Sequence, residues 1–363
     1  MSTTESETRT ATAALRLDYW PLDRLNSQPA SWWHNVLGVV GFARPPAIGK
    51  QVPKAATSTP ALGTDTELCE VWRLADPGIG IPRGAVQRGR VHYRFSDGVL
   101  FGCLSIEERE VEALREEALC TDAADDARAL LRATEEAYEE IFAVLDTTQH
   151  RHLIRIWNYV PAINAAAGGE ERYRLFNSAR QAAFRKSGRA IMGSVPAACA
   201  LGSPAQSPIC IYFVAARRAP IVIENPRQTS AYHYPPKFGK HSPTFSRACI
   251  SSHSQQANLF ISGTASIVGH ETTHPGNAAA QTRETLANIN ALLEEANRVA
   301  GSARYALDTL KLKVYVRHAS DLSAIRGVLS RELPAGNPLY LHADICREDL
   351  LVEIEAMGES RDA

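Results

Sequence analysis

Two glutamates with a single residue between them lie near the end of the chain, in the segment LLVEIEAMG (350–358). The alternation of apolar residues around them predicts a β-strand in which Glu353 and Glu355 point to the same face. Neighbouring carboxylates repel, and one of them keeps its proton if burial removes it from water. A protonated glutamate of this kind is a candidate general acid. Without burial, the same pattern is typical of the solvent-exposed face of an edge strand.

Other side chains could act on a substrate beside this acid. Cys346 precedes Glu353 by seven residues and is either part of the same site or a buried, inert thiol. Three arginines are candidates for binding an anion: Arg247 in SPTFSRACI, Arg317 at the end of a strand, and Arg180 in a helix with a basic side. Arginine forms strong hydrogen bonds with carboxylates, although arginines on a solvated surface are also common.

Three further patterns have weaker chemical implications. Gly263 in SGTAS (262–266) marks either a turn or a place where a ligand approaches the backbone closely. The motif HETTH (270–274) matches HExxH, which binds zinc only within a helix, but a strand precedes it and Pro275-Gly276 follows. We therefore expect no metal site here. The seven cysteines are odd in number and include no CxxC, which argues against disulfides and a thiolate zinc site.

The elements that must position these groups follow a clear order in the last third of the chain. The periodicity of apolar residues predicts strands and helices in alternation. The predicted strands are 258–268, 310–317, 339–345 and 350–358, and the predicted helices are 281–299 and 321–333.

An earlier stretch repeats this order of elements. It comprises a hairpin at 89–106, a helix at 125–146, a strand at 152–160, a helix at 170–188 and two strands within 196–217. Aligning the two final strands places Tyr212 where Glu353 stands, at a separation of 141 residues. A single long period of this kind indicates a duplicated domain of α+β class.

The remaining segments complete the predicted domain organisation. Strands within 15–85 are assigned to the first domain, and residues 224–250 form a long connection rich in Pro, Tyr, Arg and His. Because loops of this length are usually functional or disordered, and this one is aromatic, we expect it to line a site. The predicted divisions are a disordered leader (1–15), a first domain (16–220), a site-lining connection (221–250) and a second, catalytic domain (251–358).

The composition is that of a globular protein, with 45% hydrophobic residues and a net charge of −1. This charge gives no indication of nucleic-acid binding or of attraction to an acidic membrane. No apolar run is long enough to span a membrane, and the polar N-terminus lacks the apolar core of a signal peptide. We therefore expect a cytoplasmic protein.

Residues 258–358 resemble the reactive-intermediate deaminase (RidA/YjgF) family. The resemblance lies in FISGTAS, QTRETLANINALLEEA, LKLKVYVRHASDLSAI and LLVEIEAMG, in family order and spacing. It implies a fold similar to trimeric chorismate mutase: a mixed sheet with helices on one face, three units around an axis, and sites in the clefts between units. The carboxylate-binding arginine of the family has no counterpart near Pro338, which argues against imine hydrolysis.

Longer motifs resemble the chorismatase family over nearly all of 90–358. They are RIWNYVPAIN (155–164), ERYRLFNSARQAAF (171–184), IENPRQTSAYHYPPKFGKHSPTFSRA (223–248) and LFISGTASIVGHET (259–272). The resemblance implies removal of pyruvate from chorismate, with Glu353 as the catalytic acid. Cys346 and Gly263 resemble the branch that forms 3-hydroxybenzoate, in which 4-hydroxybenzoate is a further aromatic product. The hydrolytic branch, which gives 3,4-dihydroxycyclohexa-1,5-diene carboxylate, has Ala at the position of Cys346.

This resemblance also directs the search for substrate-binding groups. Chorismate carries two carboxylates, for which Arg247, Arg180 and Arg317 are the candidates, with three tyrosines as hydroxyl donors: Tyr212, Tyr232 and Tyr234. No metal or organic cofactor is implied. Two repeated halves, with the N-terminal strands in a third position, predict a pseudo-trimeric arrangement in a monomer or a small homo-oligomer. The alternatives are a non-catalytic small-carboxylate binding module, an imine hydrolase and a chorismate mutase.

Overall fold

The computed structural model describes residues 15–49, 52–75, 84–109, 123–253, 256–302, 304–334 and 336–360. The predicted leader lies outside these residues, except for Leu15, which is the first residue of a strand. The described chain has the predicted α+β class, with three larger sheets and helices on two of them.

The N-terminal strands form a four-stranded sheet of their own, in the order β1-β4-β2-β3. Its elements are β1 (Leu15–Pro21), α1 (Leu22–Asn26), β2 (Val36–Gly41), β3 (Lys54–Ala56) and β4 (Leu68–Leu74). The sequence placed these strands in the first domain, whereas the structure separates them from it. All six residues of β2 are buried, because other parts of the chain cover both of its faces.

A second unit follows and builds most of a seven-stranded sheet. Its elements are β5 (Val86–Arg88), β6 (Val91–Phe95), β7 (Val99–Ile106), α2 (Ala123–Thr148), β8 (His152–Pro161), β9 (Ala166–Ala167), β10 (Glu170–Glu171), α3 (Arg172–Lys186), β11 (Ala197–Ser203) and β12 (Ile209–Ala216). Apolar residues of α2, such as Leu130, Ala137 and Ile141, pack on this sheet at helical spacing.

The third unit contains a six-stranded sheet. Its elements are β13 (Ile221–Ile223), β14 (Ala248–His253), β15 (Gln256–Ala265), β16 (Ile267–Val268), β17 (Glu271–Thr272), α4 (Ala278–Ala300), β18 (Lys311–Val316), α5 (Leu322–Glu332), β19 (Leu339–His342), β20 (Asp344–Ile345) and β21 (Val352–Glu359). Helix α4 begins where the Asn277 side chain accepts a hydrogen bond from the Ala280 amide. It ends at Gly301, whose φ of 69° is left-handed.

The second and third units share one topology, as the duplication predicts. The strand order β11-β8-β12-β7-β6 in one sheet corresponds to β19-β18-β21-β15-β14 in the other. In each unit the first two of these strands are parallel and the others are antiparallel. The halves are therefore two RidA/YjgF-like units, each with its helices on one face of its sheet.

The other faces of the three sheets pack against one another around a common core. Trp72 of the first sheet, Trp157 of the second and Phe260 of the third meet there, with ring centroids 5.4 Å and 6.2 Å apart. This is the predicted pseudo-trimeric arrangement within a single chain. Strand β20 also leaves the third unit and pairs with β11, where Ile345 lies opposite Leu201.

The predicted connection at 221–250 is divided differently in the structure. Its ends are strands β13 and β14 of the third sheet, which pair with each other. Between them lie two short 3-10 helices, Ala231–His233 and Pro236–Phe238. The HETTH motif comprises β17 and the residues on both sides of it, so its histidines are not on one face of a helix.

Candidate active site

A cavity of about 480 Å³ lies between the second and third units. Its walls come from helix α3, the segment between β13 and β14, strand β15, the turn after β20, and the start of β21. The residues that matter most for its chemistry are Glu353, Gly263, Cys346, Tyr173, Tyr234, Arg174, Arg247 and Arg347. Glu353, Gly263, Cys346, Arg247 and Tyr234, which the sequence singles out, therefore lie in one cavity.

Glu353 is at the wall of this cavity and is only 4% exposed. Strand β21 holds it between β15 and β18, so it is in the interior of the sheet and not on an exposed edge. Burial raises the pKa of Glu353 to about 8, and the nearby carboxylate of Glu355 acts in the same direction. A carboxyl group with this pKa is mostly protonated at neutral pH and can donate a proton.

Glu355 points to the same face of β21 but has a different environment. It accepts hydrogen bonds from Trp157 Nε1 at 2.7 Å and from Arg155, and it forms an ion pair with Lys313 at 2.7 Å. Burial raises the pKa of Glu355, but the Lys313 and Arg155 cations outweigh this effect, so its pKa lies below the ordinary value. One of the two carboxyl groups is thus neutral and the other ionised, as their different partners require.

Gly263 lies on β15 directly against the candidate acid. A Cβ at this position would be 1.9 Å from Glu353 Oε1, which is far inside van der Waals contact. The pairing of β15 with β21 shifts register between Ile261 and Thr264, and this irregularity brings Gly263 to the carboxyl group. The absence of a side chain at residue 263 makes room for Glu353.

Cys346 is half-buried at the cavity wall, in the turn that follows β20. Burial raises the pKa of its thiol to about 12, and the nearby Glu353 acts in the same direction. The thiol is therefore neutral at physiological pH and is not an activated nucleophile. Its contribution to the cavity is shape and apolar surface.

Arg247 is the predicted arginine that lines the cavity. Its Nη2 donates hydrogen bonds to the Thr229 carbonyl and the Tyr234 hydroxyl, both at 2.7 Å. Its Nε is buried and has no hydrogen-bond partner among the described residues. Two partners fix the guanidinium in place, which leaves a donor for an anionic ligand.

Two arginines of the cavity were not singled out from the sequence, namely Arg347 and Arg174. Arg347 donates to the His270 carbonyl at 2.9 Å and stacks over the Phe238 ring at 4.2 Å, while its buried Nη2 lacks a partner among the described residues. Its position directly after Cys346 could have indicated it, because a neighbour of a predicted site residue in a tight turn faces the same space.

Arg180 lies behind the cavity wall. It is 2% exposed, and its Nε and Nη2 have no hydrogen-bond partners among the described residues. Tyr173, seven residues earlier in α3, lines the cavity, whereas Arg180 does not. Burial raises the pKa of Tyr173, and the Arg180 cation partly offsets this effect.

The structure places the other predicted ligand-binding residues away from the cavity lining. All five N–H positions of Arg317 are engaged within the chain, by the carbonyls of 345, 347 and 350 and the side chains of Asn164 and Asp344. Arg317 therefore has no donor left for a substrate and instead fixes the turn that carries Cys346. This corrects its assignment as a ligand-binding residue.

Tyr212 and Tyr232 also lie outside the lining. Tyr212 accepts a hydrogen bond from Lys313 Nζ at 2.9 Å and donates to Glu70 at 3.3 Å, deep in the common core. It is thus a neighbour of the cation that binds Glu355 and has no place in the cavity lining. Tyr232 packs against the His233 ring and is half-buried.

The sequence and the fold of this chain are both similar to those of known proteins. The family model described as the N-terminal part of FkbO/Hyg5-like chorismatases matches residues 70–215. A 3-hydroxybenzoate synthase from Streptomyces hygroscopicus is 39% identical over 235 residues, which cover 62% of this chain and 68% of that protein. The chain belongs to the chorismatase family. A chorismatase from Streptomyces rapamycinicus is 41% identical over 235 residues, covering 62% of this chain and 69% of the relative.

A crystal structure of a chorismatase matches almost the whole chain. The TM-score is 0.80 at 29% sequence identity, and the match covers 96% of this chain and 99% of the other. The protein is therefore an enzyme of the chorismatase family, with the chorismatase fold in all three units.

No helix among the described residues is long and apolar enough to cross a membrane.

Proposed function

We propose that this enzyme converts chorismate to pyruvate and a hydroxybenzoate, with 3-hydroxybenzoate as the main product and 4-hydroxybenzoate as a further one. The observation that carries the proposal is the Glu353 carboxyl group, buried in the wall of a cavity and neutral at physiological pH. The relatives named chorismatase and 3-hydroxybenzoate synthase support the choice of substrate.

The first step is proton transfer from Glu353 to the methylene carbon of the enolpyruvyl ether. An enol ether is a weak base at carbon, so an acid whose pKa is close to the working pH is required. Protonation leaves an oxocarbenium ion on the side chain of the substrate and a carboxylate on Glu353. The released carboxylate can then accept the proton that is lost when the ring becomes aromatic, which returns the enzyme to its starting state.

The fate of the oxocarbenium ion determines the product. The 4-hydroxyl of the substrate can attack the oxocarbenium carbon to give a cyclic ketal. Cleavage of one ring C–O bond of this ketal and loss of a proton from the other oxygen-bearing ring carbon make the ring aromatic. The remaining hemiketal splits into a hydroxybenzoate and pyruvate, whose keto oxygen comes from the cleaved bond, so no water is consumed. Attack by water gives the dihydroxycyclohexadiene carboxylate and pyruvate. Cys346 at the cavity wall is neutral and reduces the room for water near Glu353, which supports the intramolecular course.

The two carboxylates of chorismate require cationic partners in the cavity. Arg247 and Arg347 each offer a buried nitrogen that lacks a partner among the described residues. We assign these two arginines to the substrate carboxylates, with the Tyr234 hydroxyl orienting Arg247. Arg180, which is buried outside the cavity lining, provides a further positive charge that favours a dianion.

Glu353→Gln tests the proposal, with pyruvate release from chorismate as the measurement. We expect turnover to fall by about 10²–10⁴-fold, the usual contribution of a general acid. Glu348→Gln is the matched control, because Glu348 is an exposed carboxylate of the same cavity. Turnover of the Glu353 variant close to that of the wild type would refute the proposed role of Glu353.

Chromatography of the aromatic products tests the assignment to the hydroxybenzoate-forming branch. If the wild-type enzyme forms only the non-aromatic diol, it belongs to the hydrolytic branch, and our interpretation of Cys346 is wrong. If chorismate binds without any release of pyruvate, the cavity is a small-carboxylate binding module and has no catalytic role.

A further inference from the structure

A network of buried charges lies one pleat from the candidate acid, in the common core. Lys313 Nζ is 2.5 Å from Glu70 Oε2 and 2.7 Å from Glu355 Oε1, and Arg155 forms a second ion pair with Glu355. Lys313 also donates a hydrogen bond to the Tyr212 hydroxyl. Two carboxyl groups and two cations thus face one another in the core.

The members of this network come from all three sheets and are almost completely buried. Glu70 lies on β4, Arg155 on β8, and Lys313 and Glu355 on β18 and β21. None of these side chains is more than 6% exposed. Buried charges are retained only where good partners satisfy them, because desolvation costs several kcal/mol for each ion.

The network is close enough to influence the cavity. Glu353 and Glu355 are alternate residues on one face of β21, so their Cα atoms are about 7 Å apart. Arg155 has a buried Nη1 with no partner among the described residues. Cys199 lies beside Glu353, since a Cβ at Gly263 would be in contact with both side chains. Burial and the Glu355 carboxylate raise the pKa of the Cys199 thiol, and the Arg155 cation acts in the opposite direction.

Six charged or titratable groups face Glu353, one from its own strand and five from other parts of the chain. They are Glu355 on β21, Arg155 on β8, Cys199 on β11, Arg247 before β14, Arg317 after β18, and Cys346 after β20. The arginines favour the ionised form of Glu353, whereas Glu355 opposes it. Of these cations, only Arg155 belongs to the buried network.

We propose that Glu355 is a positioning residue that binds the buried cations Arg155 and Lys313, so that Glu353 remains the neutral acid that the reaction uses. Without the Glu355 carboxylate, Arg155 would lose its ion-pair partner and Lys313 would keep only Glu70, so the positive charge in the core would favour the ionised form of Glu353. Glu353 would then be ionised in the resting enzyme and would have no proton to deliver. This inference rests on the proposed role of Glu353 as the general acid.

The proposal predicts opposite effects for two isolated substitutions in the network. In Glu355→Gln, the high-pH limb of kcat/KM should move to lower pH by about one unit or more. The negative charge that opposes ionisation of Glu353 is removed, and Arg155 and Lys313 lose the carboxylate that they shared. In Arg155→Met, the limb should move to higher pH, because a cation near Glu353 is lost while Lys313 still holds Glu355. A general loss of stability cannot shift the limb in both directions.

Glu70→Gln is the matched control at the other end of the network. It removes a partner of Lys313 but leaves the Glu355 ion pairs in place, so its limb should move less than in Glu355→Gln. The carbonyl stretch of protonated Glu353, followed by infrared spectroscopy against pH, measures the same titration without turnover. The Glu353→Gln variant identifies that band.

The outcomes separate the two proposals. If Glu353→Gln stays active, the proposed function fails and the positioning role of Glu355 fails with it. If Glu353→Gln is inactive but Glu355→Gln keeps the wild-type pH profile and infrared titration, the positioning role alone is wrong. If Glu355→Gln does not fold, the Glu355→Gln/Lys313→Met double variant is measured in its place. This removes one carboxylate with one cation and should move the limb less than Glu355→Gln alone is expected to.

Discussion

The Glu353 carboxyl group occupies the space that a side chain at Gly263 would need. A Cβ at Gly263 would lie 1.9 Å from Glu353 Oε1 and 3.0 Å from the Cβ of Cys199. The carboxyl is the end of a flexible side chain, whereas Cys199 is fixed in strand β11. A larger residue at 263 therefore moves the acid before it disturbs the backbone.

Gly263→Ala should reduce turnover by about 10- to 100-fold, since a displacement of about 1 Å at a reacting group costs up to about 10²-fold. The free energy of unfolding should change far less, because only the Glu353 side chain must shift. Pyruvate release and urea unfolding measure the two effects. Unchanged turnover in a folded Gly263→Ala variant would show that the position of the carboxyl is not critical.

The pH dependence of kcat/KM should show a high-pH limb near pH 8. Burial raises the pKa of Glu353 to about 8, and only the protonated form can start the reaction. Rates of pyruvate release across pH 6–10 test this expectation. An absent limb would contradict the raised pKa of Glu353, and a limb that persists unchanged in the residual activity of Glu353→Gln must arise from another group.

The same pKa has a consequence for stability. The folded chain holds the Glu353 proton between the unfolded pKa of 4.5 and about 8, so the unfolding free energy falls as pH rises through this range. The slope should reach at most about 1.4 kcal/mol per pH unit relative to Glu353→Gln. Urea unfolding of both proteins at pH 5, 6, 7 and 8 measures it. Parallel stability curves would contradict the raised pKa.

Cys346→Ala should change the products more than the rate. The smaller side chain leaves room for water at the cavity wall, so the share of the dihydroxycyclohexadiene carboxylate should increase while pyruvate release continues. Cys346→Val is the matched control, since it keeps the wall apolar and filled. An unchanged product ratio in the alanine variant would show that Cys346 does not exclude water from the reaction.

Arg247 and Arg317 should respond differently to the same substitution. Arg247→Gln removes a cation with a free donor in the cavity, and KM for chorismate should rise about 10- to 100-fold, in line with about 1.5–3 kcal/mol for a charged hydrogen bond. Arg317→Gln removes a fully bonded side chain that fixes the Cys346 turn, so unfolding should become easier. A large rise in KM without loss of stability in Arg317→Gln would reverse the two assignments.

Much of the fold could be predicted because its signals are local. The helix predicted at 281–299 is observed at Ala278–Ala300, and the repeated order of elements gives two units of one topology. The N-terminal sheet was not separated from the first domain, since its short strands and proline-rich connections contain no periodicity that identifies a sheet partner. Pairing between distant strands depends on packing that a single segment does not encode.

The candidate site was predictable to the extent that residues share one strand or one motif. The shared face of Glu353 and Glu355 follows from alternation alone. Their different charges do not, because these depend on Lys313 and Arg155, the latter 200 residues from Glu355 in the chain. Similarly, only the structure shows that every donor of Arg317 is already engaged, while a nitrogen of Arg347 is free to meet a ligand.

The meeting of three sheets at Lys313 shows what is gained when three units are joined in one chain. In an assembly of three identical subunits around an axis, each substitution occurs three times, so a charge introduced near the axis would appear in triplicate. Here the ammonium group has two carboxylates and one phenol as its neighbours, drawn from Glu70, Glu355 and Tyr212. Because the three units of one chain have different sequences, each can carry a different residue at the shared core, and one cleft alone can hold the acidic group.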